Sequence, residues 1–400
     1  MENYDFIIVG AGIVGLTVAR SLALRRYGSV LILEKEPSLG RHASGRNSGV
    51  LHTGIYYPAH SLKAKVCAEG ARLLRDYATE RGISMRKTGK VILPTKSGSA
   101  PMLEVLFQQA KANGARVEMV DTSRLREIEP EAKLSDRALF VQDAAVIDAH
   151  AVLAALEKEI ESSGVTLKKN SAVRDIDPQK QIVKTKTDAW RYGHLVNAAG
   201  LYADKIAHRM DVGRQYRILP FKGIYRKLSA EASKRIQGLI YPVPNLKMPF
   251  LGVHFTKTVA GDVLVGPTAT PAFGRENYGL FEGLDLKDSF LILRNLCRML
   301  KRNKDGMRNL VKEESLKYWP PIFLKEAQEL VPTLQERDFL KGQAMVGIRA
   351  QLFDQSKMQL VMDFVVERGK HSVHILNAIS PAFTASLAFA ELVVDGLKSN

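Results

Sequence analysis

A glycine-rich turn between two short apolar runs constrains this chain more than any other feature. Residues 4–9 have the length and branching of a buried strand. Gly10-Ala11-Gly12-Ile13-Val14-Gly15 follows at once, and residues 16–24 read as a helix. A second apolar run, residues 30–33, ends in Glu34. Strand, turn, helix, strand and acid together are the context in which a GxGxxG pattern holds a dinucleotide. Gly10 allows the tight turn, Gly12 lets backbone approach a pyrophosphate on the positive end of the helix dipole, and Gly15 lets helix and strand pack closely. Ile13 and Val14 open the helix and belong to the same phosphate-facing turn. Glu34, nineteen residues beyond Gly15, is spaced to accept hydrogen bonds from both hydroxyls of an adenosine ribose, with Lys35 beside it.

A chain of 400 residues has room for two domains. Its two cysteines, Cys67 and Cys297, stand far apart and outside any CxxC or CxxH context. They offer neither a disulfide framework nor a zinc site, so no metal is expected and a reducing compartment fits. The first residues are acidic and run straight into the first strand, unlike a signal peptide. No apolar run approaches the ~20 residues that span a bilayer. The expectation is a cytoplasmic protein, or one held peripherally on the inner face of a membrane. The net charge of +16 suits an acidic small substrate, an anionic membrane surface, nucleic acid, or merely a lysine-rich surface. No RNA-binding module or aromatic-basic repeat accompanies it, so no nucleic acid partner is expected.

After Glu34 the chain does not continue promptly into another strand and helix. Residues 41–52 form a small, polar, Gly-punctuated loop able to lay backbone N–H groups and hydroxyls along a phosphate. The run Ser44-Gly45-Arg46-Asn47-Ser48-Gly49-Val50-Leu51-His52-Thr53-Gly54-Ile55-Tyr56-Tyr57, followed by Ser61-Leu62-Lys63-Ala64-Lys65, resembles the L-2-hydroxyglutarate oxidase/dehydrogenase family of D-amino-acid-oxidase-like flavoproteins. The resemblance implies FAD rather than NAD. It assigns Ser44, Arg46, Asn47, Ser48 and Gly49 to the flavin side of the cofactor, and Val173 to backbone reading of the adenine. It also extends to the strand end at Asn197-Ala198-Ala199-Gly200, where Ala199 and Gly200 are small beneath a pyrophosphate, to Gly347-Ile348-Arg349, and to Ser380-Pro381-Ala382 at the start of the last helix. That helix start can stabilise negative charge on the flavin pyrimidine. The resemblance is weakest between residues 97 and 145.

The expected fold is mixed α/β. An FAD-binding Rossmann-like domain would be assembled from 1–85, 146–213 and 335–400. A second, antiparallel-sheet substrate domain would take 86–145 and 214–334, with a basic helical segment at about 285–330. Within that segment, residues 290–311 read as one helix with Leu291, Ile292, Leu296, Met299 and Leu300 on one face. Arg294, Arg298, Lys301, Arg302, Lys304 and Arg308 surround them. Such a helix either covers its own sheet or lies on an anionic membrane.

The implied reaction is FAD-dependent oxidation of L-2-hydroxyglutarate to 2-oxoglutarate, with quinone or oxygen as electron acceptor. It needs a base for the hydroxyl proton and cations for the carboxylates. Histidine is the natural base near neutral pH, and His52 and His254 lie in family-like contexts. The other histidines sit at turns, helix starts or strand ends. Arg349 is the expected carboxylate clamp and counts among the catalytic candidates, because a guanidinium pairs with a carboxylate through two parallel bonds. Tyr57 and Lys222 are candidates for the distal carboxylate. The alternatives within the superfamily are an amine or amino-acid oxidase and a glycerol-3-phosphate dehydrogenase, since the same flavin serves all three. A nucleic-acid-modifying flavoprotein is the remote alternative.

Overall fold

Parallel pairing of Glu2–Val9 with Val30–Leu33 on one side and Ala189–Asn197 on the other organises the first sheet. The computed structural model describes residues 1–95, 99–246, 248–303 and 306–397. The eight-stranded sheet continues outward to Thr166–Lys168 at one edge and through Ile182–Lys184 to Asp175–Asp177 at the other, with Ser372–Ile375 and Val366–Gly369 joined to Ala189–Asn197. Val30–Leu33 and the last four residues of Glu2–Val9 are apolar at every position because both faces of the sheet are covered there. Ile8, Val30, Ile32 and Val196 pack under helices Ile13–Leu24, Leu62–Glu80, Ala149–Ser162 and Ala382–Asp395. Ile7, Val9, Leu31, Leu33 and Leu195 face the opposite way, against Ile206 and Met210.

A ten-stranded sheet forms the second layer. In order it runs Gln359–Leu360, Phe339–Asp354, Tyr216–Leu228, Val263–Gly266, His254–Lys257, Leu239–Pro242, Lys90–Leu93, Ala138–Val141 and Val117–Val120, with Thr270–Pro271 added to Tyr216–Leu228. All its pairs are antiparallel except Leu239–Pro242 on Lys90–Leu93. A small sheet of Val50–Leu51, Ala145–Ile147 and Met85–Lys87 joins the two layers.

Two sequence expectations need correction. The boundary placed at 335 comes later by sheet membership, because Phe339–Asp354 and Gln359–Leu360 belong to the ten-stranded sheet. Met85–Lys87 and Lys90–Leu93 are separate strands, divided at Gly89 with φ +64°. The helix expected over 290–311 is two, Leu286–Arg302 and Met307–Leu316. It stops where Asn303 and Gly306 take left-handed backbone (φ 46° and 76°), and Asn303 Oδ1 accepts the Arg308 N–H at 2.9 Å. Lys304 lies outside the described residues.

The terminal helix reaches the space between the layers because it lies directly on Leu62–Glu80. A Cβ on Gly70 would come within 2.5 Å of Ala385 Cα. Gly70→Ala is expected to push the helices apart and cost about 1–3 kcal/mol, the range for overpacking. A fall in melting temperature checks this.

Candidate active site

A cavity of about 760 Å³ lies outside the carboxyl ends of the central parallel strands and under the ten-stranded sheet. Val9 and Leu33, the last residues of two of those strands, line it. This is where doubly wound sheets bind ligands.

One end is made of backbone. Gly10 has φ +103°, and a Cβ there would meet Ala198 O at 2.6 Å. On Gly15 a Cβ would lie 1.9 Å from Gly10 O, so helix and strand touch backbone to backbone. Gly12 is the helix N-cap, and near it only Ser44 Oγ would touch a Cβ, at 3.0 Å. The Ser44 hydroxyl accepts the Ile13 N–H at 2.9 Å. Gly10, Gly12, Ile13 and Val14 line the cavity, with Ala199 and Gly200 and, nearby, Val173. Glu34 lines it too. Its two oxygens accept the Ala11 and Glu36 N–H groups at 2.8 and 2.9 Å, each keeping a second lone pair.

The polar loop is braced from within. Asn47 donates to Ala43 O and Ser44 O and accepts the Gly49 N–H. Arg46 donates to Arg41 O and Val346 O and lies 4.2 Å over the Tyr278 ring. Lys35 bridges Glu36 and Glu276. His42 contacts Glu36 at 2.9 Å and Tyr278 Oη at 2.7 Å, and Tyr202 donates to Glu276 at 2.7 Å. This clasp ties the nucleotide-side loop to the loop after Thr270–Pro271. Sequence reasoning gave Lys35 a place here but missed Glu276 and Tyr278 as partners, since they are distant in the chain.

The other end is aromatic and basic. In the antiparallel ladder, Phe221 pairs with Arg349 and Gly223 with Gly347. Paired residues share a face, so these four line the cavity together, joined by Tyr225 two residues on. A Cβ on Gly347 would meet Arg46 O at 2.6 Å, which shows how closely this strand crosses the loop. Arg349 Nε donates to Gln351 Oε1 at 3.0 Å, and its guanidinium lies 5.7 Å from the Phe250 ring. Among the described residues no carboxylate pairs with it, and desolvation lowers it to about 10.

His254 lines the cavity and is buried. Its Nδ1 lies 2.9 Å from Gly252 O. A carbonyl only accepts, so Nδ1 carries the proton and Nε2 holds a lone pair. His52 lies across the cavity. Its Nε2 is 3.2 Å from Ser380 Oγ, and its backbone N–H donates to Thr384 Oγ1. Burial, above all, pushes both imidazoles down to about 3, and the Lys90 ammonium adds to this. Both are neutral at physiological pH, as a base must be before it acts.

The cavity thus gathers His52, His254, Arg349, Glu34, Lys35, Ser44, Arg46, Asn47, Ser48, Ile348, Ser380, Pro381 and Ala382. Tyr57 stands just behind, interacting with Ser380 and Arg349. Gly49 (φ +67°) is not in the lining; it turns the chain against Ile147. Lys222 is a correction. It falls on the opposite face from Phe221 and Arg349, and its Nζ donates to Asn277 Oδ1 and Gly279 O, which fixes a loop instead of facing the cavity. Sequence reasoning missed Tyr225, whose period-two spacing from Phe221 and Gly223 was a usable signal. It also missed Tyr241, Phe250 and Lys90, which carry none.

The chain matches the model of the FAD dependent oxidoreductase family over residues 5–396. It is 34% identical over 421 residues to the mitochondrial L-2-hydroxyglutarate dehydrogenase of Bos taurus, covering 98% of this chain and 88% of the relative. The L-2-hydroxyglutarate dehydrogenase of Indibacter alkaliphilus is 33% identical, covering 98% of each. Among solved structures, the dithionite-reduced L-alpha-glycerophosphate oxidase of Mycoplasma pneumoniae with FAD bound superposes with a TM-score of 0.78 at 23% identity, covering 100% of this chain and 95% of that one. Glycine oxidase of Geobacillus kaustophilus gives 0.74 at 20% identity, covering 100% and 96%.

Because both cavity imidazoles are desolvated, neither His52 nor His254 is expected to titrate between about pH 5 and pH 8 in the substrate-free protein. Nuclear magnetic resonance of isotope-labelled histidines checks this; a midpoint near the ordinary 6.5 in either would contradict it.

Proposed function

The chain belongs to the FAD-dependent oxidoreductase family, among the L-2-hydroxyglutarate dehydrogenases, and from that premise we propose that it oxidises L-2-hydroxyglutarate to 2-oxoglutarate. The observation that carries this reading is a desolvated guanidinium, Arg349, with no counter-charge among the described residues, lining the same cavity as a neutral histidine. An uncompensated buried cation is costly, and a substrate carboxylate removes that cost.

The residues present fit FAD. The Gly10–Gly15 turn leaves a helix N-terminus facing the cavity with no side chain before Gly12 except the Ser44 hydroxyl, and Glu34 retains acceptor capacity. When bound, FAD supplies the acceptor for the hydride that leaves C2. The chain's own residues do the rest. Arg349 holds a carboxylate with its two terminal nitrogens, since Nε is engaged by Gln351. His254 Nε2 takes the hydroxyl proton. Tyr225, Tyr241 and Phe250 wall the site against water. Lys63, buried beside Tyr57 and lowered to about 7 by desolvation, adds positive potential for the second carboxylate.

A second surface supports a proposal for the electron acceptor. Helix Leu286–Arg302 buries Ile292, Leu296 and Met299 against the ten-stranded sheet, so it does cover its own domain. It also leaves Leu286 90% and Phe290 65% exposed, beside Phe281 at 77%. Lys287, Arg294, Arg298, Lys301 and Arg302 share the helix. An apolar patch rimmed by cations fits an anionic bilayer. We propose that this face docks there and that a membrane quinone, with oxygen as the alternative, accepts the electrons. No helix among the described residues is long and apolar enough to cross a membrane.

Anaerobic addition of L-2-hydroxyglutarate is expected to bleach the flavin absorbance, and the D form is not; failure with the L form and turnover of glycine or glycerol 3-phosphate would overturn the reading. In Arg349→Met, kcat/KM should fall about a hundredfold or more, the scale of removing one partner from a desolvated charge pair. Flotation with anionic but not zwitterionic vesicles, weakened in Phe290→Ser, checks the docking face.

A further inference from the structure

Lys90 is 1% exposed, and its Nζ has no hydrogen-bond partner. A buried ammonium in the middle of a sheet is expensive unless its charge is used. Lys90, Tyr241 and His254 stand on three adjacent strands, Lys90–Leu93, Leu239–Pro242 and His254–Lys257. The Lys90 Nζ lies 4.4 Å from the centre of the Tyr241 ring and 5.3 Å from that of Tyr56. The Tyr241 ring in turn stacks on the His254 imidazole, with centroids 3.9 Å apart and planes at 21°. One aromatic ring therefore has a cation from one flanking strand and an imidazole from the other.

We propose that Lys90 is a positioning residue that acts through Tyr241 to hold His254 in the cavity as the neutral Nδ1–H tautomer with Nε2 free. The physical cause is a shared ring. Tyr241 already interacts with one cation, and an imidazolium on the same ring would be a second, in a region of low dielectric. The ammonium makes no hydrogen bond to Nε2, whose lone pair the reaction needs. Gly252 O fixes the other nitrogen. The remaining groups around His254 do not compensate. Tyr225 meets it edge-on at 6.2 Å, and Tyr56 and Tyr57 are held as neutral phenols by burial. Arg349, Lys63 and His52 carry no negative charge. Glu326, whose Oε1 accepts the Val253 N–H, and Glu314 on the cavity wall both pair with Lys317, whose single charge offsets one of the two carboxylates, and burial raises the Glu314 carboxyl. Lys90 is the charged group that bears on both histidines.

The kinetic arm of the test rests on the proposed function; the spectroscopic arm does not. In flavin-loaded, substrate-free protein with isotope-labelled histidine, the His254 resonances should report the Nδ1–H tautomer. In Lys90→Met, with flavin content confirming the fold, the His254 midpoint should rise by about one pH unit or more, and Lys90→Arg should restore it. The acid limb of kcat/KM should move upward in parallel, so that activity at its foot falls about tenfold. The sign follows because the neutral imidazole is the active form, and a raised midpoint removes it at higher pH. A folded Lys90→Met with an unchanged His254 midpoint overturns the proposal. So does an Nε2–H tautomer in the unsubstituted protein, a result that needs no variant. A shifted midpoint without turnover of L-2-hydroxyglutarate upholds Lys90 and rejects the substrate.

Discussion

The pairing of Tyr216–Leu228 with Phe339–Asp354 is the interaction on which the site depends. These two strands, 13 and 16 residues long, run in nearly continuous antiparallel register. Register in a sheet fixes the facing of every side chain, because a slip of one residue exchanges the two faces. Here it sets Arg349 beside Phe221 over the cavity and turns Lys222 away. Ile218, Ile348 and Leu352 of the same ladder seat it on Leu201, Ala203 and Leu376 of the nucleotide-side layer. One ladder thus positions the proposed carboxylate clamp and joins the layers.

The two layers solve different problems. The parallel sheet offers backbone, with small residues and a helix N-terminus where an extended anionic cofactor must come close. The antiparallel sheet offers side chains, because its cavity face is free to carry Arg349, His254 and a run of aromatics. Desolvation gives those groups their character. It holds the histidines neutral and lowers the unpaired guanidinium to about 10. In water neither condition would have much force.

Local signals were readable in the sequence. The Gly10–Gly15 turn and the strands around it depend on neighbours within a few residues, and they stand where expected. The face of Lys222 did not follow from type and neighbourhood, because it depends on a partner strand more than a hundred residues away. Leu239–Pro242 is four residues long, buried almost throughout and without alternation. It pairs in parallel with Lys90–Leu93, so the stack it creates among Lys90, Tyr241 and His254 had no trace in either segment alone. The helix break at Asn303 was legible in principle, since asparagine and glycine bracket it, but the hydrophobic period runs through it.

An unpaired guanidinium such as Arg349 is indifferent to the oxidation state of the carbon next to the carboxylate it holds. In the proposed reaction the hydroxy acid and the keto acid present the same carboxylates, so this clamp binds the reactant and what it becomes with similar strength. Binding of that kind settles which molecules enter and gives the chemical step no advantage. Discrimination between the two falls to the histidine and tyrosine wall near C2, and an enzyme built this way works against its own product whenever the keto acid accumulates.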